Sequence, residues 1–359
     1  MASLLAAIAL ALPVGTVGGV DASLRDVPVL ILFAVFALVS LLRFCRSVDP
    51  WGDGLVMVIG AVGLLSALRT LEMAGAGYWC FVASDWLFAW LFVERLSALR
   101  PLHPAVRNAQ SLIVPLIFGV WILILWELVT RGSNVPTVLL PPPSMIGERF
   151  MASLPILWVD FQQTFLKAVL IGYALGSGSA LVVAIAIDRS PFLQRGLLPV
   201  GNLVSALPMI GVAPIMVMWF GFDWPSKAAV VVIMTFFPML VNAIAGLGQS
   251  SVMERDLMRT YAAGYWQTLW KLRLPAAAPF IFNALKINST LALIGAIVAE
   301  FFGTPIVGMG FRISTEVGRM NVDMVWAEIA VAALAGSAFF GIVALIERAV
   351  TFWHPSVRQ

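Results

Sequence analysis

Seven stretches without a single Asp, Glu, Lys or Arg punctuate this 359-residue chain: 1–20, 27–42, 108–126, 168–187, 196–222, 228–253 and 329–346. Most are long enough to cross a hydrocarbon core, which takes about 20 residues of helix. Weaker candidates, interrupted or bounded by single charges, are 54–68, 77–93 and 276–302, so about ten spans are expected. Continuous apolar runs favour helices, because barrel strands alternate and are only about ten residues long. The expected fold class is therefore all-α, a polytopic transmembrane helical bundle. A composition of 61% hydrophobic and 11% charged residues exceeds what a water-soluble core needs. Residues 1–20 lack a basic leading region and read as a retained first span, not as a signal peptide.

Lys and Arg concentrate in cytoplasmic loops. With both termini inside, the inner loops hold Arg43, Arg46, Arg95, Arg100, Arg107, Arg189, Arg195, Arg255, Arg259, Lys271, Arg273, Arg348 and Arg358. The outer connections hold fewer: Arg25, Arg69, Arg131, Arg149, Lys227, Arg312 and Arg319. The net charge of +3 expresses this loop bias, with no basic patch of the kind that binds nucleic acid. The localisation that follows is a membrane, crossed several times. Cys45 and Cys80 imply no disulfide framework, and His103 and His354 lack a second ligand at metal-binding spacing, so no metal site is expected.

The segment ERLSALRPLHPAVRNAQ at 94–110 returns to polarity with two prolines and reads as a cytoplasmic linker. It divides the chain into an amino-terminal unit of about four helices, 1–107, and a six-helix portion, 108–359. Within the latter, NVPTVLLPPPSMIGERF at 134–150 suggests an extended external segment followed by a short helix before Phe165. The polar connection GQSSVMERDLMRTYAAGYWQTLWKLRLP at 248–275 sits between two long apolar spans. It carries Glu254, Arg255, Asp256, Arg259, Lys271 and Arg273, with Trp266, Leu269 and Trp270 at helical spacing, and reads as a short amphipathic helix pair presented to a partner.

From about residue 111 onward the chain resembles the inner-membrane permease subunits of binding-protein-dependent ABC importers of the nitrate, sulfonate and taurine type. The resemblance rests on ordered motifs: LLPPPSMIGERF, ALPMIGVAPIMVMWFGFDWPSKA at 206–228, FFPMLVNAIAGL at 236–247, LRLPAAAPFI, IGAIVAEFFG at 294–303, GMGFRI at 308–313 and IERAVTFWHP. It implies a six-helix permease core, cytoplasmic ABC ATPase subunits, an external solute-binding protein and a permease homodimer within the lipid bilayer. It also implies that 248–275 is the ATPase-coupling loop. Aligned on Leu274 and Pro275, the family's acidic position is Asp256, its two alanine positions are Leu257 and Met258, and its glycine position is Ala262. Asp256 keeps the charge and Ala262 the smallness, Met258 is bulkier than alanine, and Gly264 offers a turn just beyond. Arg259 and Trp266 join them as rim and anchor candidates. On pattern alone an interfacial helix lying on headgroups fits these residues equally well; the resemblance favours docking.

No G-x-x-x-x-G-K-[ST] occurs, so no cofactor is expected in this chain, and ATP and magnesium are assigned to the partner ATPase. Candidates along a translocation path are Pro208 and Pro214, which can bend their helix, Trp219 and Phe220 at its outer edge, Asn242 and Glu300. An aromatic belt and helix–helix glue are the competing readings of Trp219, Phe220 and Asn242. Lys286 is expected to snorkel toward the cytoplasmic end of its helix, and Asp85 to be met by an interhelical hydrogen bond. The function that follows is ATP-driven import of a small solute by alternating access, with no covalent chemistry. An ion-coupled secondary transporter is the alternative, and a membrane enzyme lacks a convergent set of catalytic groups. The scarcity of spare basic residues in the core spans favours an uncharged heterocycle over a strong anion.

Overall fold

A computed structural model describes residues 1–17, 20–22, 50–99, 104–190, 209–303 and 306–353, with 31, 35, 192, 193 and 196 as isolated positions. The expected span at 27–42, most of 196–208, and Pro208, Cys45, His103 and His354 lie outside the described residues. The chain forms two compact units, Met1–Glu148 and Arg149–Gln359.

The first unit runs α1 (Ala2–Ala9), β1 (Gly15–Val17), β2 (Val20–Ala22), α2 (Pro50–Ala67), β3 (Met73–Ala74), α3 (Ala76–Ala98) and α4 (Pro104–Gly132). The expected span over 1–20 is not formed. Pro13 has no amide to continue a helix, so α1 stops at eight residues, about 12 Å at 1.5 Å per residue and too short to cross a membrane. The chain then turns into a three-stranded antiparallel sheet in the order β2-β1-β3, a departure from a purely helical fold. Gly15 is required there, because a Cβ would run into the Met73 carbonyl. The core of this unit gathers Leu64, Tyr78, Phe81, Phe88 and Leu128 from α2, α3 and α4. Gln110 donates to the Leu96 and Leu99 carbonyls and so satisfies groups that the end of α3 leaves without helical partners. Ser84 reaches the Ala2 carbonyl at 2.8 Å. Its neighbour Asp85 is fully buried with no partner for either carboxylate oxygen, so the hydrogen bond expected for it is not made.

The PPPS motif starts α5 (Pro143–Ala152): Glu127 accepts from the Ser144 amide at 2.9 Å and from its hydroxyl at 2.7 Å, which caps the new helix with a carboxylate. In the second unit α6 (Leu154–Phe161), a widened π turn (Gln162–Val169) and α7 (Leu170–Arg189) form one continuous 36-residue rod. There follow α8 (Met209–Phe220), α9 (Trp224–Leu247), α10 (Val252–Thr260) and α11 (Tyr265–Thr268). A π turn (Leu269–Arg273) leads into α12 (Leu274–Glu300), then α13 (Met309–Gly318) and α14 (Val322–Val350).

Lipid supplies little hydrophobic drive between spans, so close backbone approach and interhelical hydrogen bonds must hold them together. Gly172 and Gly176 let α7 lie directly on α9: a Cβ at Gly172 would come within 2.6 Å of the Val231 Cβ, and one at Gly176 would collide with Thr235. Asn288 of α12, fully buried, donates to Ser177 Oγ at 3.0 Å and to the Thr235 carbonyl at 2.7 Å, pinning α7, α9 and α12 at mid-height.

Among the described residues six helices are long and apolar enough to cross a membrane: Ala76–Ala98, Leu112–Gly132, Leu154–Arg189, Trp224–Leu247, Tyr265–Glu300 and Val322–Val350. Gly52–Ala67 and Gly211–Phe220 are shorter apolar helices. The protein is thus a mostly helical multi-pass membrane protein.

Candidate functional site

The polar connection forms one free-standing helix and the base of a span, in place of the expected pair of short helices. Ser251 and Glu254 close a reciprocal capping box at the start of α10, at 3.2 and 2.8 Å. No residue of α10 is buried. Asp256, Leu257 and Arg259 are exposed, Met258 is partly covered, and Arg259 pairs with Asp256 at 3.2 Å. The helix ends on Ala262, whose φ of +53° lies in the left-handed region that favours glycine. The Ala262 amide donates to the Arg259 carbonyl at 2.9 Å and the Ala263 amide to the Met258 carbonyl at 3.0 Å, the two bonds of a Schellman stop. A glycine position at Ala262 thus has a conformational reason.

Gly264 starts the second helix, which runs without a break from Tyr265 through the π turn into α12. Leu274 and Pro275 follow the π turn inside this continuous helix, at a point where Pro275 has no amide to donate to the turn before it. Leu269 is fully buried against Leu247 and Ala277, whereas Trp266 and Trp270 are 55% and 67% exposed. Of the three apolar anchors expected, two tryptophans face outward and the leucine belongs to the core.

Arg273 closes the base of this segment. Its guanidinium forks onto both oxygens of Asp188, at 2.6 Å each, and donates to the Leu247 carbonyl at 2.9 and 3.1 Å. The Tyr265 hydroxyl donates to Asp188 at 3.1 Å, with Arg189 stacked 5.7 Å from the Tyr265 ring centroid. Asp188 was not singled out in the sequence; its one signal is that it ends the uncharged window 168–187.

At the opposite end of the unit, the motifs around 294–313 interlock. Glu300 does not stand at an open mouth: it is 2% exposed and accepts from Thr164 Oγ1 and the Gly310 amide, both at 2.7 Å. Asp160 accepts from the Gly308 amide at 2.6 Å and from Arg312 at 2.8 Å, while the Met309 amide donates to Thr164 at 2.8 Å. Two carboxylates and a hydroxyl therefore take up the free amides that open α13. Gly308, at φ +131°, is needed because a Cβ would sit 2.7 Å from the Glu300 carboxylate. Glu328, fully buried, lies beside the Asp160 carboxyl and in the field of Arg312 and Glu300. Asp160, Thr164 and Glu328 were not found in the sequence, since their meaning depends on contacts made across more than a hundred residues.

Beside this network, Lys227 is 1% exposed and donates to the Phe222 carbonyl at 2.5 Å, although a solvated loop cation was expected. Its helix begins at Asp223, whose carboxyl the Trp224 amide and then the Gln163 amide hold below the usual carboxylate range. Trp219 and Phe220 are exposed at the end of α8, and Pro214 lies half-buried inside it. Asn242 bonds within its own helix, Nδ2 to the Pro238 carbonyl at 2.8 Å, and the cross-helix role falls to Asn288. Lys286 does not snorkel: lying about 20 Å along α12 from Arg273, it is out of easy reach of that end and pairs with Glu347 of α14 at 2.7 Å. Among the described residues no group of three or more His, Cys, Asp or Glu is arranged to hold a metal ion.

Residues 172–352 match the family described as binding-protein-dependent transport system inner membrane component, and this match spans half of the chain. The chain belongs to that family. A probable ABC transporter permease of Haemophilus influenzae is 29% identical over 238 residues, 66% of this chain and 96% of the relative. A riboflavin transport system permease of Chloroflexus aurantiacus is 29% identical over 66% of this chain and 88% of its own length. A formylaminopyrimidine transport permease of Halalkalibacterium halodurans is 28% identical over 69% and 99%. Among solved structures, a chain of the inward-facing MetNI methionine ABC transporter is similar at 16% identity and a TM-score of 0.46, over 57% of this chain and 98% of that chain. The protein is the membrane permease subunit of an ABC importer, working by alternating access on solute brought by a binding protein. It is a transport subunit, and ATP hydrolysis belongs to a separate one. Family membership decides against the ion-coupled transporter.

Proposed function

We propose that this permease works as a homodimer, with residues 248–275 and the carboxy terminus cytoplasmic, and imports a small uncharged heterocycle. Residues 248–275 are its coupling loop: Asp256, Leu257, Met258, Arg259, Ala262, Gly264 and Trp266 meet the ATPase, and Leu274 and Pro275 begin the span that the loop moves. ATP and magnesium bind the partner ATPase. When that partner closes, a helix seated in its cleft moves as a rigid body, and the core helices rock with it. Pro208, Pro214, Trp219, Phe220, Asn242 and Glu300 remain the candidates along the path. Residues 108–359 are the permease core, and 1–107 an added unit. Supporting that division, relatives aligned over nearly their whole length account for about two thirds of this chain.

What supports the solute class is the scarcity of free cations in the core spans: Lys286 is paired with Glu347 and Lys227 is buried and donates to a carbonyl, which leaves Lys167, bonded only to the neutral Gln163 amide, as the exposed lysine beyond the coupling segment. Two relatives are named for heterocycles, riboflavin and formylaminopyrimidine. The test is ATP-driven uptake of labelled formylaminopyrimidine into vesicles bearing the whole importer. Competition by unlabelled pyrimidine but not by nitrate or taurine is expected; competition by the anions alone would reverse the assignment.

A further inference from the structure

The coupling segment is joined by the chain to two spans, α9 before it and α12 after it, yet alternating access requires further spans to move with them. The geometry points to the Asp188–Arg273 pair as the link that makes α7 follow the coupling segment, with the same guanidinium fixing the end of α9 to the base of α12, an inference that rests on the importer reading of 248–275.

Arg273 is the last residue of the π turn between α11 and α12, the joint where the exposed segment enters the core. From there one guanidinium holds two other helices by their final turns. Its fork takes both oxygens of Asp188, the penultimate residue of α7. Its remaining donor capacity goes to the carbonyl of Leu247, the last residue of α9 and one that a helix end leaves without an internal partner. Both side chains of the ion pair are only 14% exposed, and a bidentate pair fixes direction as well as distance. Tyr265, at the start of α11 and eight residues before Arg273, adds a second tether to the same carboxylate and to the Ile185 carbonyl at 3.4 Å. The apolar contacts run parallel: Leu269 is buried against Leu247, and a Cβ at Gly246 would lie 3.1 Å from the Ala277 Cα, so α9 and α12 have no slack between them. A displacement of Trp266 or Trp270 by the ATPase therefore reaches the ends of three helices through one charged group. Arg273 and Asp188 are positioning residues, touching neither nucleotide nor solute.

The test is hydrogen exchange by mass spectrometry on the permease purified with its ATPase, nucleotide-free and trapped with MgADP and orthovanadate. In the native complex, trapping changes exchange in 252–275 and, with it, at 184–189 and 244–248. Arg273→Lys keeps the charge but loses the fork. In that variant the response of 252–275 persists while the response at the two helix ends falls about tenfold, and in Asp188→Asn, where Arg273 still donates to the Leu247 carbonyl, it falls at 184–189 alone. Arg348→Ala, an exposed charge in the last turn of α14, leaves all three responses intact. The reversed pair, Asp188→Arg with Arg273→Asp, recovers 184–189 but not 244–248, because an aspartate cannot donate to the Leu247 carbonyl. That split between two helix ends would not arise from general loosening. Native responses at both ends in Arg273→Lys and Asp188→Asn would overturn the link. A native complex in which 252–275 itself ignores trapping would instead sink the coupling reading, and the link with it.

Discussion

At Ala262 the backbone requires φ +53°, a conformation costing an L residue about 1–2 kcal/mol and glycine almost nothing. Ala262→Gly is expected to stabilise the coupling segment by about 1 kcal/mol, read as slower exchange in 252–263 with uptake retained. A bulky charged side chain at the same place should abolish uptake while leaving the protein in the membrane, and undiminished transport would count against docking there. Asp223 gives a pH dependence of definite sign. Its carboxyl is held below the ordinary range when folded, so its contribution is complete above about pH 4 and is lost as pH falls through the lowered value. Asp223→Asn should flatten that acid-side loss in a thermal unfolding series. Neither residue stands out by type alone: Ala262 is visible because a motif demands glycine there, and Asp223 only once Gln163 and Trp224 are seen to converge on it.

Among the elements, the apolar windows found the spans well where composition alone decides, as over 224–247 and 322–350, and failed where a break depends on local geometry. The window 1–20 is as apolar as any other, but Pro13 and the close approach of Gly15 to Met73 divert it into a strand. The second coupling helix was expected to stand alone because Trp266, Leu269 and Trp270 share a helical spacing; the structure splits them, since Leu269 is held by Leu247 across the helix interface. Glu300 was visible as a costly charge, but the partners that absorb it, Thr164 and Gly310, were not. The contact of α7 with α9 depends on missing side chains. Gly176→Leu should force the helices apart and cost about 1–3 kcal/mol or more, seen as a lower detergent melting temperature. Asn288→Ala, which removes two bonds but no close contact, should cost about 1 kcal/mol, in line with interhelical hydrogen bonds in membranes.

For the whole molecule, the division of labour is the main consequence. A chain whose sequence holds no G-x-x-x-x-G-K-[ST], and whose second unit carries an exposed capped helix at one end and a locked polar network at the other, acts only as part of an assembly. Residues 1–107 lie outside the family match at 172–352 and are read as dispensable for that assembly, at the expense of the core that Leu128 of α4 shares with Leu64, Tyr78 and Phe81. Deleting them should leave a core that still binds the ATPase. The most direct measurement is mild-detergent purification of the tagged chain from its native membrane, followed by mass spectrometry of what accompanies it. A soluble ABC ATPase should come with it, and should be lost when a bulky charge stands at Ala262, just past the end of α10. A chain that comes out alone, yet carries solute down an imposed ion gradient in liposomes, would contradict the account.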